Sequence, residues 1–453
     1  MPWRVWILWG VFLARGCFYC TTMPLWEGWD EYAHFAYLQH AVSTFGLPRF
    51  DEPISKEIDE SMRLAPLGDE LRWIGPPYLT HPQWWALPEA ERADRVRRLA
   101  AIPPEWAFQK AEHPFVFYEA QQSPLYYWLL ALPLRFIGAW HLWGRVLAMR
   151  LLSMALASLA IPLTFLAGRI VFEEYRAVLG AGLLALAPGF AIDASRVAND
   201  SLAIALAALL CWLVMKRSRW VVTGLVLGAG LLAKSYFLGL VLGLVLLGYW
   251  RSAGLGVLAA VWWYGRNVLL GYSLTGWQDQ ASFSKMLAAV TAVNWIDAAQ
   301  VTAKSFFWFG GWSFLTLKSW MYAVVNLVGA VSAFRGFKRE VLVPWVFVGC
   351  VFAEMAYGVL NYQASHGIGS LPGWYAWVVG GMMAMIIAAG SGRSVWFLIA
   401  ALAAVDVYGA SLMARHYHVG LVWLWLVPID SMSLAVWLPG FRRGIAQTAH
   451  TAI

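Results

Sequence analysis

The chain has 453 residues, of which 60% are hydrophobic and 13% charged, with a net charge of +7. A soluble globular protein carries roughly 25% charged residues, so a string of soluble domains and a disordered chain are both excluded. The Lys and Arg residues sit singly or in pairs at the ends of long apolar runs, the positive-inside pattern of a polytopic membrane protein and not a nucleic-acid-binding stripe; no nucleic-acid partner is expected.

An all-α membrane chain of about 11–12 spanning helices is predicted. The first helix covers residues 3–23, and Arg15 inside it must face protein or snorkel. No small-residue cleavage site follows it, so it reads as retained. Residues 25–123 then hold 16 of the 26 acidic residues, which marks an external loop domain. Its Pro76-Pro77 and Pro103-Pro104 pairs and its charged run 89–98 predict short helices joined by turns. Residues 124–140, broken by Pro133 and Arg135, predict an interfacial helix. Spans are predicted at 146–170, 177–197, 202–215, 221–233, 237–250 and 255–264. A second external segment covers 267–318. Further spans are predicted at 320–334, 341–360, 372–389, 395–413 and 419–437. The chain thus divides into residues 1–24, 25–145, 146–266, 267–318 and 319–453. Cys17, Cys20, Cys211 and Cys350 all fall in apolar stretches and read as small membrane residues, not as a disulfide framework.

Alternation of the spans leaves Asp30-Glu31, Asp200, Lys234 and Arg266 on the external side, opposite the basic clusters. A single charge at a helix end is commonly only solvated; four on one face suggest a site. In Trp26-Glu27-Gly28-Trp29-Asp30-Glu31-Tyr32-Ala33-His34-Phe35, Asp30 and His34 are four apart and would share a helical face. A carboxylate crowded by acidic neighbours has a raised pKa and can serve as a general base. No tight ligand spacing such as H-E-x-x-H surrounds the pair, so a divalent metal is not favoured and no cofactor is expected.

Asp30-Glu31 after the first helix, with His34-Phe35 and Phe45-Gly46-Leu47-Pro48, resembles the opening of the GT-C membrane glycosyltransferases. The similar branch is that of the protein O-mannosyltransferases and lipid A aminoarabinose transferases. Glu119-Ala120-Gln121-Gln122-Ser123-Pro124-Leu125-Tyr126-Tyr127 resembles the family's Pro-Pro-Leu element. Arg150-Leu151-Leu152-Ser153 is similar to the start of its second span, and Ser195-Arg196-Val197-Ala198-Asn199-Asp200 to its second acidic loop. Leu231-Leu232-Ala233-Lys234 resembles its Thr-Lys turn, and Trp262-Trp263-Tyr264-Gly265-Arg266-Asn267 the exit of its seventh helix. The motifs occur in the family's order.

The resemblance implies a GT-C fold with a helical extracytoplasmic first loop. It implies inverting transfer of a sugar from a polyprenyl-phosphate donor to a lipid, glycan or protein acceptor. It places the chain in the bacterial inner (cytoplasmic) membrane with its site facing the periplasm, in the service of the cell envelope. Asp30 would be the general base, with Glu31 and Asp200 as further acidic groups. Lys234 and Arg266 would hold the donor phosphate. His34, Glu119, Gln122, Tyr126 and His366 would contact substrate. The sequence departs from the family at Ser123, where a proline is usual, and in residues 363–375, where the usual Arg is absent and His366 stands nearby. Those departures motivate a second reading, a non-catalytic subunit of a larger membrane complex. A third, a transporter or lipid flippase, would require Glu354 and Asp406 to line one path.

Overall fold

The computed structural model describes residues 1–453 other than 29, 70, 72–74, 113–115, 277–279, 308–314, 393, 433–435 and 437–453. The expectations for Arg393, Arg442 and Arg443, for most of the aromatic run 306–312 and for the end of the 419–437 span therefore lie outside the described residues.

The first helix, α1 (Trp3–Thr22), buries Val5, Leu8, Phe12, Arg15 and Tyr19, spaced by three and four, as one face of a helix requires. Trp3 and Trp6 stay exposed at its start. Arg15 faces protein. Its guanidinium pairs with Asp406 at 2.7 Å and Asp430 at 3.4 Å, and Tyr19 donates to the same Asp406 oxygen, Oδ1, at 2.7 Å.

A loop domain follows, built from α2 (Glu31–Thr44), α3 (Lys56–Leu64), α4 (His81–Ala86) and α5 (Glu89–Ala100). Two-residue strands β1 (Pro66–Leu67) and β2 (Leu79–Thr80) pair in parallel beside them. No residue of α5 is buried, and Glu91–Arg95 and Asp94–Arg97 pairs run along it, so it lies on the surface. Buried Glu57 bonds Arg145 and Gln39, which fixes the domain to the bundle. The interfacial helix, α6 (Leu125–Phe136), carries Leu129, Leu132 and Phe136 on an exposed face.

The bundle comprises α7 (Leu142–Ser158), α8 (Ala160–Val171), α9 (Glu174–Leu186), α10 (Pro188–Ala194), α11 (Asp200–Met215), α12 (Trp220–Leu231), α13 (Phe237–Leu246) and α14 (Trp250–Leu269). The second segment carries α15 (Phe283–Ala292) and α16 (Trp295–Phe307), and α17 (Ser319–Arg335), α18 (Leu342–His366), α19 (Gly380–Gly390) and α20 (Ser394–His416) complete it. Among the described residues five helices are long and apolar enough to cross a bilayer, six if the bent pair α9–α10 is one span. Of four shorter apolar helices, α11, α12 and α13 fall within further predicted spans, and α15 falls in the segment predicted to be external. The chain is an all-α integral membrane protein.

Two expected spans differ in form. The 177–197 stretch is not one helix: it bends by 62° between α9 and α10. Pro188 supplies no amide to continue α9 and starts α10 at its first turn instead. The 255–264 stretch extends to 20 residues as α14, which brings Arg266 into its last turn. There a cation meets unpaired carbonyls favourably, and a hydropathy reading stops short of it.

Candidate functional site

The cavity lies where α2, the segment before α6, the α10–α11 junction, the end of α12 and the loop after α18 meet. Its volume is about 80 Å³, space for several waters.

Asp30 precedes α2 as its N-cap with φ at 56°, in the left-handed region that Asp tolerates better than most side chains. Its carbonyl accepts from the Ala33 and His34 amides, while its carboxylate makes no cap bond to the helix and faces the cavity. Gly28 allows this placement: a Cβ there would lie 2.7 Å from the Arg196 Cβ. Burial raises the Asp30 carboxyl above the usual carboxylate range; the Tyr118 hydroxyl and the charges of Arg196 and Lys234 act in the opposite direction. His34, one turn on, bonds the Tyr127 hydroxyl at 2.7 Å. Burial first, then Arg196 and Lys234, holds it well below its ordinary pKa, so its ring is neutral.

The cavity floor alternates in charge. Arg196 donates to Asp193 and, at 2.8 Å, to Asp200. The same Asp200 oxygen lies 2.6 Å from the Lys234 ammonium. Lys234 also donates to Asn199 at 3.1 Å and sits 5.4 Å and 5.7 Å from the ring centres of Tyr236 and Tyr375. Asn199 in turn donates to Gln122 and to the Ala233 carbonyl, fixing the two loops against each other.

Glu119, Gln121 and Gln122 form another wall. The Ser123 hydroxyl donates to the Leu231 carbonyl and the Leu125 amide to the Leu232 carbonyl, so this segment is bonded to the end of α12. A proline at 123 has no such hydroxyl; the departure has a local physical role.

Asp30, His34, Glu119, Gln122, Asp200 and Lys234 therefore share one cavity, and Glu31, Tyr126, Arg266 and His366 do not line it. Glu31 is fully buried against Arg150, which grips both its oxygens, and one of them also accepts the Val197 amide. Arg150 additionally holds the Cys20, Met23 and Pro24 carbonyls. Glu31 thus locks the exit of α1 and places Asp30. Tyr126 bonds Ser153 at 2.6 Å in the interior. The convergence expected of Arg266 is corrected: its guanidinium is spent on the Pro48 and Ala120 carbonyls and the Asn267 side chain. His366 is exposed at the end of α18, its ring 5.1 Å from that of Tyr362, which does line the cavity. Among the described residues no group of three or more His, Cys, Asp or Glu side chains is placed to hold a metal ion.

No family model and no curated protein matches the chain. Solved structures similar to it include ArnT from Cupriavidus metallidurans bound to undecaprenyl phosphate, at 12% identity and a TM-score of 0.48, covering 96% of this chain and 75% of that one. The oligosaccharyltransferase AglB from Archaeoglobus fulgidus, in complex with an inhibitory peptide and a dolichol-phosphate, is similar at 11% identity and a TM-score of 0.38. That match covers 96% of this chain and 56% of AglB.

Arg196 is the cavity cation that the sequence reading passed over. It stands four residues before Asp200, the spacing of a helical ion pair, and that was the available signal. Trp374 and Tyr375 lie in residues 363–375, where only His366 stood out in the sequence. The loop is held by α16, through Ser305 to the Gly373 amide and Thr302 to the Leu371 carbonyl, and it brings the two aromatic rings to the cavity.

Proposed function

We infer that the chain is a membrane glycosyltransferase that moves a sugar from a polyprenyl-phosphate donor to an acceptor hydroxyl. The observation that carries this reading is the single cavity holding an uncapped carboxylate, Asp30, with the cations Lys234 and Arg196. Asp200 and Asn199 take two of the three ammonium bonds of Lys234, and the third serves the donor phosphate. The acceptor oxygen attacks the anomeric carbon from the face opposite the phosphate. The carbon–phosphate oxygen bond breaks, its electrons leave with the phosphate, and the acceptor proton passes to Asp30. Lys234 and Arg196 stabilise the departing anion. This displacement inverts the anomeric centre. The basic residues Lys216, Arg217 and Arg219 stand at the far end of α11 and α12 from the site. By the positive-inside rule they are cytoplasmic, which puts the site on the extracytoplasmic side, the periplasm in a bacterial inner membrane.

The decisive assay is transfer from undecaprenyl-phosphate sugars to extracted lipid, glycan and protein acceptors by the purified protein. Transfer lost in Asp30→Asn supports the reading. A folded wild type that neither binds nor uses any polyprenyl-phosphate donor sinks it and favours the non-catalytic subunit. The transport reading has less support. Asp406 is bound to Arg15 and Glu354 accepts the Gly239 amide at 2.8 Å, and neither lines the cavity.

A further inference from the structure

Beside Asp30 and Asp200 the cavity holds a third carboxyl group, Glu119, to which the transfer step gives no proton-handling role. It is 6% exposed, and its Oε2 meets no hydrogen-bond partner among the described residues. The groups facing it come from every wall. They are Asp30, Tyr32 and His34 at α2, Tyr118 of its own segment, Tyr127 of α6, Arg196 and Asp200 of the α10–α11 junction, Lys234 and Tyr236 beyond α12, and Tyr362 and Tyr375 from α18 and the loop after it. Only Lys234 and Arg196 are cationic, since His34 is neutral. Both already carry Asp200, and Arg196 carries Asp193 as well. Asp193 and Asp200 already balance the two cations, so a charge on Asp30 is uncompensated and a second on Glu119 would add to it. A buried carboxyl with no cation of its own, beside another carboxylate, responds by keeping its proton.

We propose that Glu119 is the proton-holding residue of the cavity, a neutral acid at neutral pH that leaves Asp30 as the ionised carboxylate and whose ionisation in alkali turns the cavity against anionic ligands. Burial, and next the charge of Asp30, pushes Glu119 up to about 8; Lys234 and Gln122 pull it down by less. The environments of two carboxyls are thereby separated, one for the base and one for the acid form. Glu119 is a positioning residue. Its proton removes one negative charge from the space a phosphate enters, and its hydroxyl donates a hydrogen bond where a carboxylate can only accept. The claim about anions rests on the transfer reading; the claim about the proton does not.

Two measurements on the full chain in lipid nanodiscs test it. The first is infrared difference spectroscopy between about pH 6.5 and about pH 9.5, which follows the carbonyl band of protonated carboxylic acids. Wild type minus Glu119→Gln should show one such band, lost as pH rises. In Asp30→Asn that band should titrate at lower pH, because the neighbouring charge is gone. A wild-type spectrum in which Glu119→Gln removes no band overturns the proposal. If Glu119→Gln does not fold, the Asp30→Asn shift decides the same question: an unmoved midpoint overturns it. The second is binding of undecaprenyl phosphate over the same range. Affinity should fall about tenfold more in wild type than in Glu119→Gln, which serves as the control for titration of the lipid phosphate itself. An equal fall in both overturns the anion claim. Binding in neither protein at any pH removes the transfer reading and with it the anion claim, while the infrared band still decides whether Glu119 holds the proton.

Discussion

Asp30 occupies a left-handed backbone position, and Asn tolerates that conformation as well as Asp does. Asp30→Asn therefore isolates the charge from the shape. Transfer should fall by about 10²–10⁴, the range of general-base assistance, with the thermal unfolding curve unchanged. The pH profile gives the sign. As a general base Asp30 would act only when ionised, and burial raises its pKa above the usual carboxylate range. The rate should climb as pH rises through that ionisation, an acid limb absent from the residual rate of Asp30→Asn; an acid limb shared by both proteins would assign the base elsewhere. Lys234 and Arg266 looked equivalent in sequence and are not equivalent in space. Lys234→Ala should weaken donor binding and turnover together, since the ammonium meets a phosphate that is charged in both ground and transition states. Arg266→Gln should cost less donor affinity, because its side chain holds the Pro48 and Ala120 carbonyls and does not line the cavity of Asp30 and Lys234. Donor titrations of the two variants compare them directly, and a larger loss for Arg266→Gln would place the phosphate at α14. The order of the motifs made legible that Asp30, His34, Glu119, Gln122, Asp200 and Lys234 converge on one cavity. What the sequence did not contain was the competition for each charged group. Glu31 is consumed by Arg150, Arg266 by carbonyls, and Arg196 joins the cavity floor from the non-helical junction between α10 and α11, where it pairs with Asp193 and Asp200.

Helix pairs here are fitted by small residues and buried charges as well as by large apolar side chains. The contact of α12 with α14 shows this. A Cβ at Gly228 would lie 2.8 Å from that of Ala259, and one at Gly256 would meet Leu227 at 2.5 Å. Gly228→Val should therefore destabilise by about 1–3 kcal/mol, measured as thermal unfolding in detergent. Gly10→Val is the control, because a side chain at Gly10 meets nothing within 4 Å. Equal losses in the two would show that β-branching in a helix, not the α12–α14 contact, is responsible. The ion network of Arg15, Asp406, Asp430 and Tyr19 joins α1 to α20 in the same manner. Arg15→Ala should cost about 3–5 kcal/mol, because it strands buried carboxylates, and should cost less when combined with Asp406→Ala. The apolar runs made the element types legible; their ends were not. Hydropathy cannot register a 62° bend produced by one missing amide at Pro188, nor a helix that continues through Arg266 because its guanidinium finds carbonyls.

At the scale of the whole molecule the site depends on which end of the bundle is wet, and on which side of the membrane. Asp200 opens α11 and Lys216 follows its close; Arg219 precedes α12 and Lys234 follows its close. The basic clusters and the cavity are therefore at opposite ends of the same helices, and the loop domain with its exposed α5 covers the cavity end. A donor whose lipid tail lies in the bilayer can then present its phosphate to Lys234 from one leaflet only. Substituted-cysteine labelling in whole cells fixes this orientation. The background would carry Ala at Cys17, Cys20, Cys211 and Cys350. Glu89→Cys, exposed on α5, should react with a membrane-impermeant maleimide in intact cells. Arg217→Cys, exposed in the turn between α11 and α12, should react only after the membrane is opened. The reverse pattern would place Asp30 in the cytoplasm. An extracytoplasmic polyprenyl-phosphate donor could not reach it there, and the cavity would need a substrate from the other side.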